Sequence, residues 1–238
     1  MASGLGLVRE NAGDDSTDPL RSDFIANVGH ELKTPVGALS LLAETMALEE
    51  DPDVLRRLAD RVLDESERIA RMIDDLLSFA EDEFDTRNNA GRVEVEDVVA
   101  DAIERVRLAA HAKDIALEVS DVPRIVLRGS RRQLASALGN LLENGVKYSP
   151  EHERVELKVV DGEGFVELDV RDHGVGIPMH EMGRIFDRFY RGHGARTAPG
   201  NGLGLAIVRQ VAISHGGEIR VRPAAGGGSL FTLRLPVA

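Results

Sequence analysis

The chain has 238 residues, 42% hydrophobic and 29% charged, which supports one large buried core or two small ones and excludes a disordered chain. Its 29 Lys and Arg against 41 Asp and Glu leave a formal charge of −12, which excludes nucleic-acid coating or membrane adhesion by bulk charge. With no Cys there is neither a disulfide framework nor a thiolate metal site, and no apolar run reaches the ~18–20 residues of a membrane span, so a soluble chain in a reducing compartment is expected.

Residues 1–21 read as an N-terminal arm without a signal-peptide core, leaving room for a membrane or sensor part upstream. Ser22-Asp23 then caps a helix predicted to run to about Leu48. Ile25, Leu32, Leu39 and Met46 recur every seven residues, with Val28, Val36 and Ala43 filling the alternate seam. From Asp53 to about Phe84 the pattern repeats through Leu55, Val62, Ile69 and Leu76, supported by Leu58, Met72 and Phe79. Glu49–Pro52 is the turn of an antiparallel hairpin covering residues 22–84. Two helices enclose no core, so pairing of two hairpins into a dimeric four-helix bundle is the economical solution.

His30 lies inside the first helix. At ~100° per residue it falls roughly 140–170° from the stripe of Ile25, Leu32, Val36 and Leu39, with Thr34 beside it, and is expected to face solvent. A surface histidine is the ordinary reading of such a position. Pro35 removes a backbone donor and crowds the carbonyl of Glu31, predicting a bend close to His30 that stability alone does not explain. A metalloprotease motif is excluded, because position 34 is Thr rather than a second His.

Residues 85–92 are polar and read as a linker, followed by a second domain over 93–238. Its expected elements are a helix at 96–111, short strands at 115–119 and 125–127, and a helix at 131–148. Strands at 155–159 and 165–170, a helix at 202–215, and strands at 218–221 and 230–235 complete it. Strands clustered late suggest an α+β sandwich with a largely antiparallel sheet.

No Walker A or GxGxxG pattern occurs, which removes the central feature of P-loop and Rossmann folds. Asn140, Asn144 and Lys147 share one helix face, where amide oxygens suit Mg²⁺ and the ammonium suits phosphate. Asp172-His173-Gly174-Val175-Gly176 follows a strand and joins a carboxylate to glycines that let a flat ligand approach. Gly202-Leu203-Gly204-Leu205 opens a helix and offers backbone N–H groups to an anion. Taken singly, these are a polar helix face, an ordinary turn and an ordinary helix start. Ile185–Arg191 between them reads by itself as an aromatic-rich core helix around Phe186 and Phe189.

Phe24–Pro35 resembles the phospho-acceptor box of two-component sensor histidine kinases, with Gly29 where many relatives have Ser. The later segments, in this order, resemble the N, G1, F and G2 boxes of the GHKL ATP-binding fold of the same family. The resemblance covers nearly all of the chain after Ser22. It implies a homodimer that binds ATP and Mg²⁺, phosphorylates His30, and passes the phosphoryl group to an aspartate of a response regulator. It further implies that Glu31 takes the imidazole proton, a role that helical spacing alone does not provide. Thr34, with Glu31, would orient water for dephosphorylating the regulator. Asn144 would hold Mg²⁺ with Asn140 nearby, Lys147 and Tyr148 would contact the nucleotide, and Asp172 would accept the adenine amino group. Gly174, Gly176, Gly202, Leu203, Gly204 and Leu205 would shape the cradle and lid, and Arg184 would reach the γ-phosphate. A cytoplasmic core without nucleic-acid or direct membrane contact follows, in a parent protein with room for a membrane anchor. A non-catalytic nucleotide-binding scaffold and a water-using ATPase of the chaperone, topoisomerase or mismatch-repair type are the rival readings. Intact His30, Glu31, Asn144 and Asp172 disfavour the first, and the upstream hairpin disfavours the second.

Overall fold

The computed structural model describes residues 19–84, 91–192 and 202–238, and divides into two units between Ser66 and Glu67. The first is helical. It contains α1 (Pro19–Leu48) and the opening turns of α2 (Pro52–Phe84), each with a proline at its first position, where the missing N–H costs nothing. Between them Asp51 Oδ1 accepts the N–H groups of Asp53 (2.8 Å) and Val54 (3.4 Å), capping α2. Glu49 Oε1 accepts those of Glu50 and Asp51, both at 3.0 Å, so the acidic turn satisfies its own backbone.

Leu32, Leu39 and Met46 are half-buried as the heptad predicts, but the alternate seam is Pro35, Ala38 and Leu42 rather than Val36 and Ala43. Val36 is 51% exposed and Pro35 is buried. The reason is geometric: steps of three and four (32, 35, 39, 42, 46) keep to a 3.5-residue repeat, whereas positions 36 and 43 rotate outward. α1 continues unbroken through Pro35. Ile25, Val28, Met72, Leu76 and Phe79 of the expected seam have side chains outside the described residues.

The second unit begins its sheet structure earlier than expected. β1 (Gly91–Glu94) occupies the end of the stretch read as linker and pairs antiparallel with β3 (Val126–Gly129), Val93 opposite Leu127. Residues 85–90 of that stretch lie outside the described residues. α3 (Val95–Ala112), β2 (Ala116–Val119), α4 (Arg131–Tyr148), β4 (Arg154–Gly162), β5 (Phe165–Arg171), α5 (Gly204–Ser214), β6 (Glu218–Pro223) and β7 (Ser229–Pro236) complete it. The main sheet runs β2-β4-β5-β7-β6, parallel only at β2–β4.

Alternation builds the core. Val155, Leu157 and Val159 of β4, Val166, Leu168 and Val170 of β5, and Phe231, Leu233 and Leu235 of β7 point to one face and are buried. α3, α4 and α5 cover that face. α4 carries Leu134, Leu138, Leu141, Leu142 and Val146 inward, each burial stabilising by about 1.5–3 kcal/mol. The observed class is the expected α+β sandwich, and besides the early β1 it differs at Ile185–Arg191, which forms successive turns rather than a helix, Phe189 sitting at φ 61°. Ile185 alone of that stretch is fully buried.

Candidate functional site

A cavity of about 640 Å³ opens in the second unit, walled by the end of α4, the turn after β5, residues 177–192, the start of α5 and the β6–β7 turn. Ser130 caps α4, its Oγ accepting from the Gln133 N–H (3.4 Å), and the helix then runs uninterrupted to Tyr148. That length brings Asn144, Lys147 and Tyr148 to the cavity, with the Lys147 ammonium 4.7 Å from the Tyr148 ring centroid. Asn140, one turn earlier, is 5% exposed and directs its amide to the Gly204 carbonyl (3.5 Å) instead of lining the cavity.

Asp172 directly follows β5 and borders the cavity at only 6% exposure. Its Oδ1 accepts the N–H groups of Gly174 (2.9 Å) and Ser229 (3.1 Å). Burial pushes its carboxyl above the ordinary range, opposed by those hydrogen bonds to the ionised form. Two glycines are required around it. A Cβ on Gly174 would lie 2.5 Å from the Tyr148 carbonyl oxygen, and one on Gly228, at φ 79°, would overlap the Asp172 carbonyl. Gly174 therefore lets the turn press against the end of α4 from behind the wall.

Gly176, Gly202, Gly204 and Leu205 line the cavity, whereas Leu203 is 2% exposed and belongs to the core. Gly202 is tied back by the Phe189 N–H, which donates to its carbonyl (2.9 Å). Arg184 stands on the exposed side of its turn, 4.6 Å over the Tyr190 ring and 3.9 Å from Asp187, and does not line the cavity. In the first unit Thr34 is exposed, while the side chains of His30 and Glu31, and with them the expected outward imidazole, lie outside the described residues.

Sequence reasoning missed three parts of the wall. Arg191 lines the cavity where Arg184 does not. Glu181, 4% exposed, places its carboxylate where a Cβ on Gly192 would be. The β6–β7 turn supplies Gly227, Gly228 and Ser229, and the run Gly226-Gly227-Gly228 between two strands is the signal that could have found it. Arg171 Nη2 donates to the Ala225 carbonyl of that turn (2.7 Å), and His173 meets Glu156 at 2.9 Å. The His173 and Arg154 hydrogen bonds hold the Glu156 carboxyl below its ordinary range.

Residues 20–84 match the His Kinase A (phospho-acceptor) domain, and residues 129–238 match the histidine kinase-, DNA gyrase B-, and HSP90-like ATPase family. Sensor-like histidine kinase SenX3 of Mycobacterium tuberculosis is 41% identical over 220 residues, which are 91% of this chain and 54% of SenX3. The chain thus spans about half the length of that relative. MprB of Mycolicibacterium paratuberculosis, a signal transduction histidine-protein kinase/phosphatase, is 37% identical over 86% of this chain and 40% of MprB. A solved structure of the mycobacterial sensor histidine kinase MprB is 37% identical, with TM-score 0.56 over 62% of this chain and 97% of its own. Histidine kinase ThkA, solved in complex with response regulator protein TrrA, shares the fold at TM-score 0.69 and 18% identity over 92% of this chain and 63% of its own.

Proposed function

This chain belongs to the two-component sensor histidine kinases, and we propose that it is the catalytic core of one. It phosphorylates His30 from ATP and passes the phosphoryl group to an aspartate on a response-regulator receiver domain. The observation that carries the reading is Asp172: a buried carboxylate held by two backbone N–H groups beside an apolar cavity, in a chain whose residues 20–84 match a phospho-acceptor domain.

Asp172 accepts the adenine amino group, and its immobilised oxygen makes the contact selective for a donor at that position. Lys147 and the backbone at Gly202 and Gly204 meet the phosphates at the start of α5. Arg191, on the wall, is better placed than Arg184 to stabilise charge on the transferring group. Among the described residues no cluster of three or more carboxylates or imidazoles forms a metal site. Asn144 is the amide oxygen at the wall, which fits an Mg²⁺ bound chiefly by phosphates and water. When bound, that ion offsets phosphate charge.

The neutral His30 Nε2 attacks the γ-phosphorus. A P–N bond forms, the bond to the β–γ bridging oxygen breaks, ADP leaves, and the Nδ1 proton passes to Glu31. The phosphoryl group then moves to a receiver aspartate. Thr34, one turn beyond His30, orients water for the reverse duty of dephosphorylating the receiver, an activity named for MprB. Two copies act together: Val36, Leu41 and Leu63 of the first unit are 51%, 64% and 63% exposed, apolar surface that a second hairpin would cover. No described helix is long and apolar enough to cross a membrane. The proposed transfer to a receiver domain sets the core in the compartment that holds ATP and the receiver, the cytoplasm.

The test is incubation with γ-labelled ATP and Mg²⁺. Acid-labile, base-stable label on the wild type and none on His30→Ala is expected. Label retained by the variant moves the acceptor elsewhere, and nucleotide binding without label favours a scaffold.

A further inference from the structure

We propose that Lys113, outside the cavity, is a positioning residue for the nucleotide, holding two of the cavity's walls in register; the inference rests on the ATP reading above. Lys113 closes α3, and its backbone is fixed. Asp114 N–H donates to the His111 carbonyl (3.1 Å) and Ile115 N–H to the Ala110 carbonyl (2.8 Å), with Asp114 at φ 52° reversing the chain. Ile115, buried, pins the reversal to the core.

From that base the side chain reaches the far end of α4. Its Nζ donates to the carbonyls of Val146 (3.0 Å), Lys147 (2.8 Å) and Ser149 (2.6 Å). An ammonium has three donors, and here all three are used on carbonyls that a helix end leaves without partners. The positive charge also sits at the negative end of the helix dipole.

The residues around this collar explain why it acts on the site. Lys147 and Tyr148 line the cavity from the collared turn. The one carbonyl in the stretch that Lys113 does not take, that of Tyr148, is the surface against which Gly174 packs. Ser149 accepts the collar on its carbonyl and the His173 N–H on its Oγ (3.3 Å). Asp172 is the next residue back along that turn. One ammonium therefore fixes the phosphate-facing end of α4, and through Ser149 and Gly174 it fixes the base-facing carboxylate relative to it. A guanidinium is planar, with at most two N–H groups on any nitrogen, and cannot serve three carbonyls that converge on one atom, so Arg is only a partial substitute.

The test uses the full chain, reading ADP affinity by titration and autophosphorylation rate against ATP concentration. Losing a charge-assisted collar should make ADP binding about tenfold weaker in Lys113→Met and raise KM for ATP equally, with the rate at saturating ATP within about twofold of wild type. Lys113→Arg should fall between the two. A folded Lys113→Met with wild-type affinity overturns the proposal, as does a loss shared equally by affinity and saturating rate. Should Lys113→Met not fold, Lys113→Arg decides: a raised KM at unchanged saturating rate upholds the collar, and a wild-type KM overturns it. A wild-type chain that binds no ADP removes the ATP reading itself, which a Lys113→Met chain indistinguishable from a binding wild type does not.

Discussion

In the first unit Pro35 is the one fully buried side chain among the described residues, while Leu41 and Leu63 stand well exposed. In the second, α4 alone buries Leu134, Leu138, Leu141 and Leu142 to 2% exposure or less. At about 1.5–3 kcal/mol per buried side chain, the second unit holds its own stabilising core, whereas the described residues of the first form none. The difference matches the chemistry assigned to each. A nucleotide needs donors and acceptors held to fractions of an ångström, as around Asp172. Under the proposed function, a helix that meets a second hairpin and a receiver domain keeps its apolar residues available on the surface.

Glycine substitution gives the largest contrast. Gly228→Ala puts a side chain on a residue at φ 79° and into the Asp172 carbonyl, and should destabilise the second unit by about 3 kcal/mol in urea unfolding. Gly37→Ala in α1, where a Cβ meets nothing within 4 Å, should stabilise its helix by up to about 1 kcal/mol. Equal effects at the two sites would break the comparison.

Asp172→Asn separates precision from stability. The amide oxygen can still accept from Gly174 and Ser229, so folding should hold, while ADP affinity falls about 100-fold because a donor replaces an acceptor at the base. Because burial raises the Asp172 pKa in the folded chain, the folded form holds its proton to higher pH than the unfolded one. Acidification through that window should therefore add stability from this group while weakening ADP binding, and Asp172→Asn should flatten both responses. Glu156, whose pKa is lowered, contributes with the opposite sign: its stabilisation is present at neutral pH and lost as pH falls.

The smallest effect contrasts two exposed leucines. Leu63→Ala should weaken self-association by about 1–2 kcal/mol in sedimentation equilibrium. Leu108, 76% exposed on α3, should tolerate Ala within about 0.5 kcal/mol. Loss of association from Leu108→Ala rather than Leu63→Ala would reverse the assignment of the sticky surface.

Much of this was legible where local chemistry decides. α4 falls at its expected bounds, Arg131–Tyr148, because a Ser cap opens it and Ser149-Pro150 ends it. The hairpin's heptads are visible in the sequence, yet Pro35 rather than Val36 lines the seam, because the three-four spacing from Leu32 to Leu39 turns position 35 inward whatever residue it holds. β1 was hidden because Gly91 and Arg92 become a strand only through pairing with β3. Asn140 and Asn144 share a face by spacing, but only the packing of α5 over Asn140 separates a wall residue from a buried one. Arg184 and Arg191 are likewise indistinguishable by type, and the Tyr190 ring under Arg184 draws it from the cavity. Direction of a side chain is a tertiary fact.

The central claim is that the phosphoryl group lands on the imidazole of His30. It is tested most directly by mapping phosphate on the wild-type chain after exposure to ATP and Mg²⁺, with peptides kept at neutral to basic pH. The account predicts one phosphoramidate, within the peptide Phe24–Pro35 and on His30. Phosphate on a hydroxyl or carboxylate instead, or an unmodified His30 in a chain that has bound and consumed ATP, would contradict it.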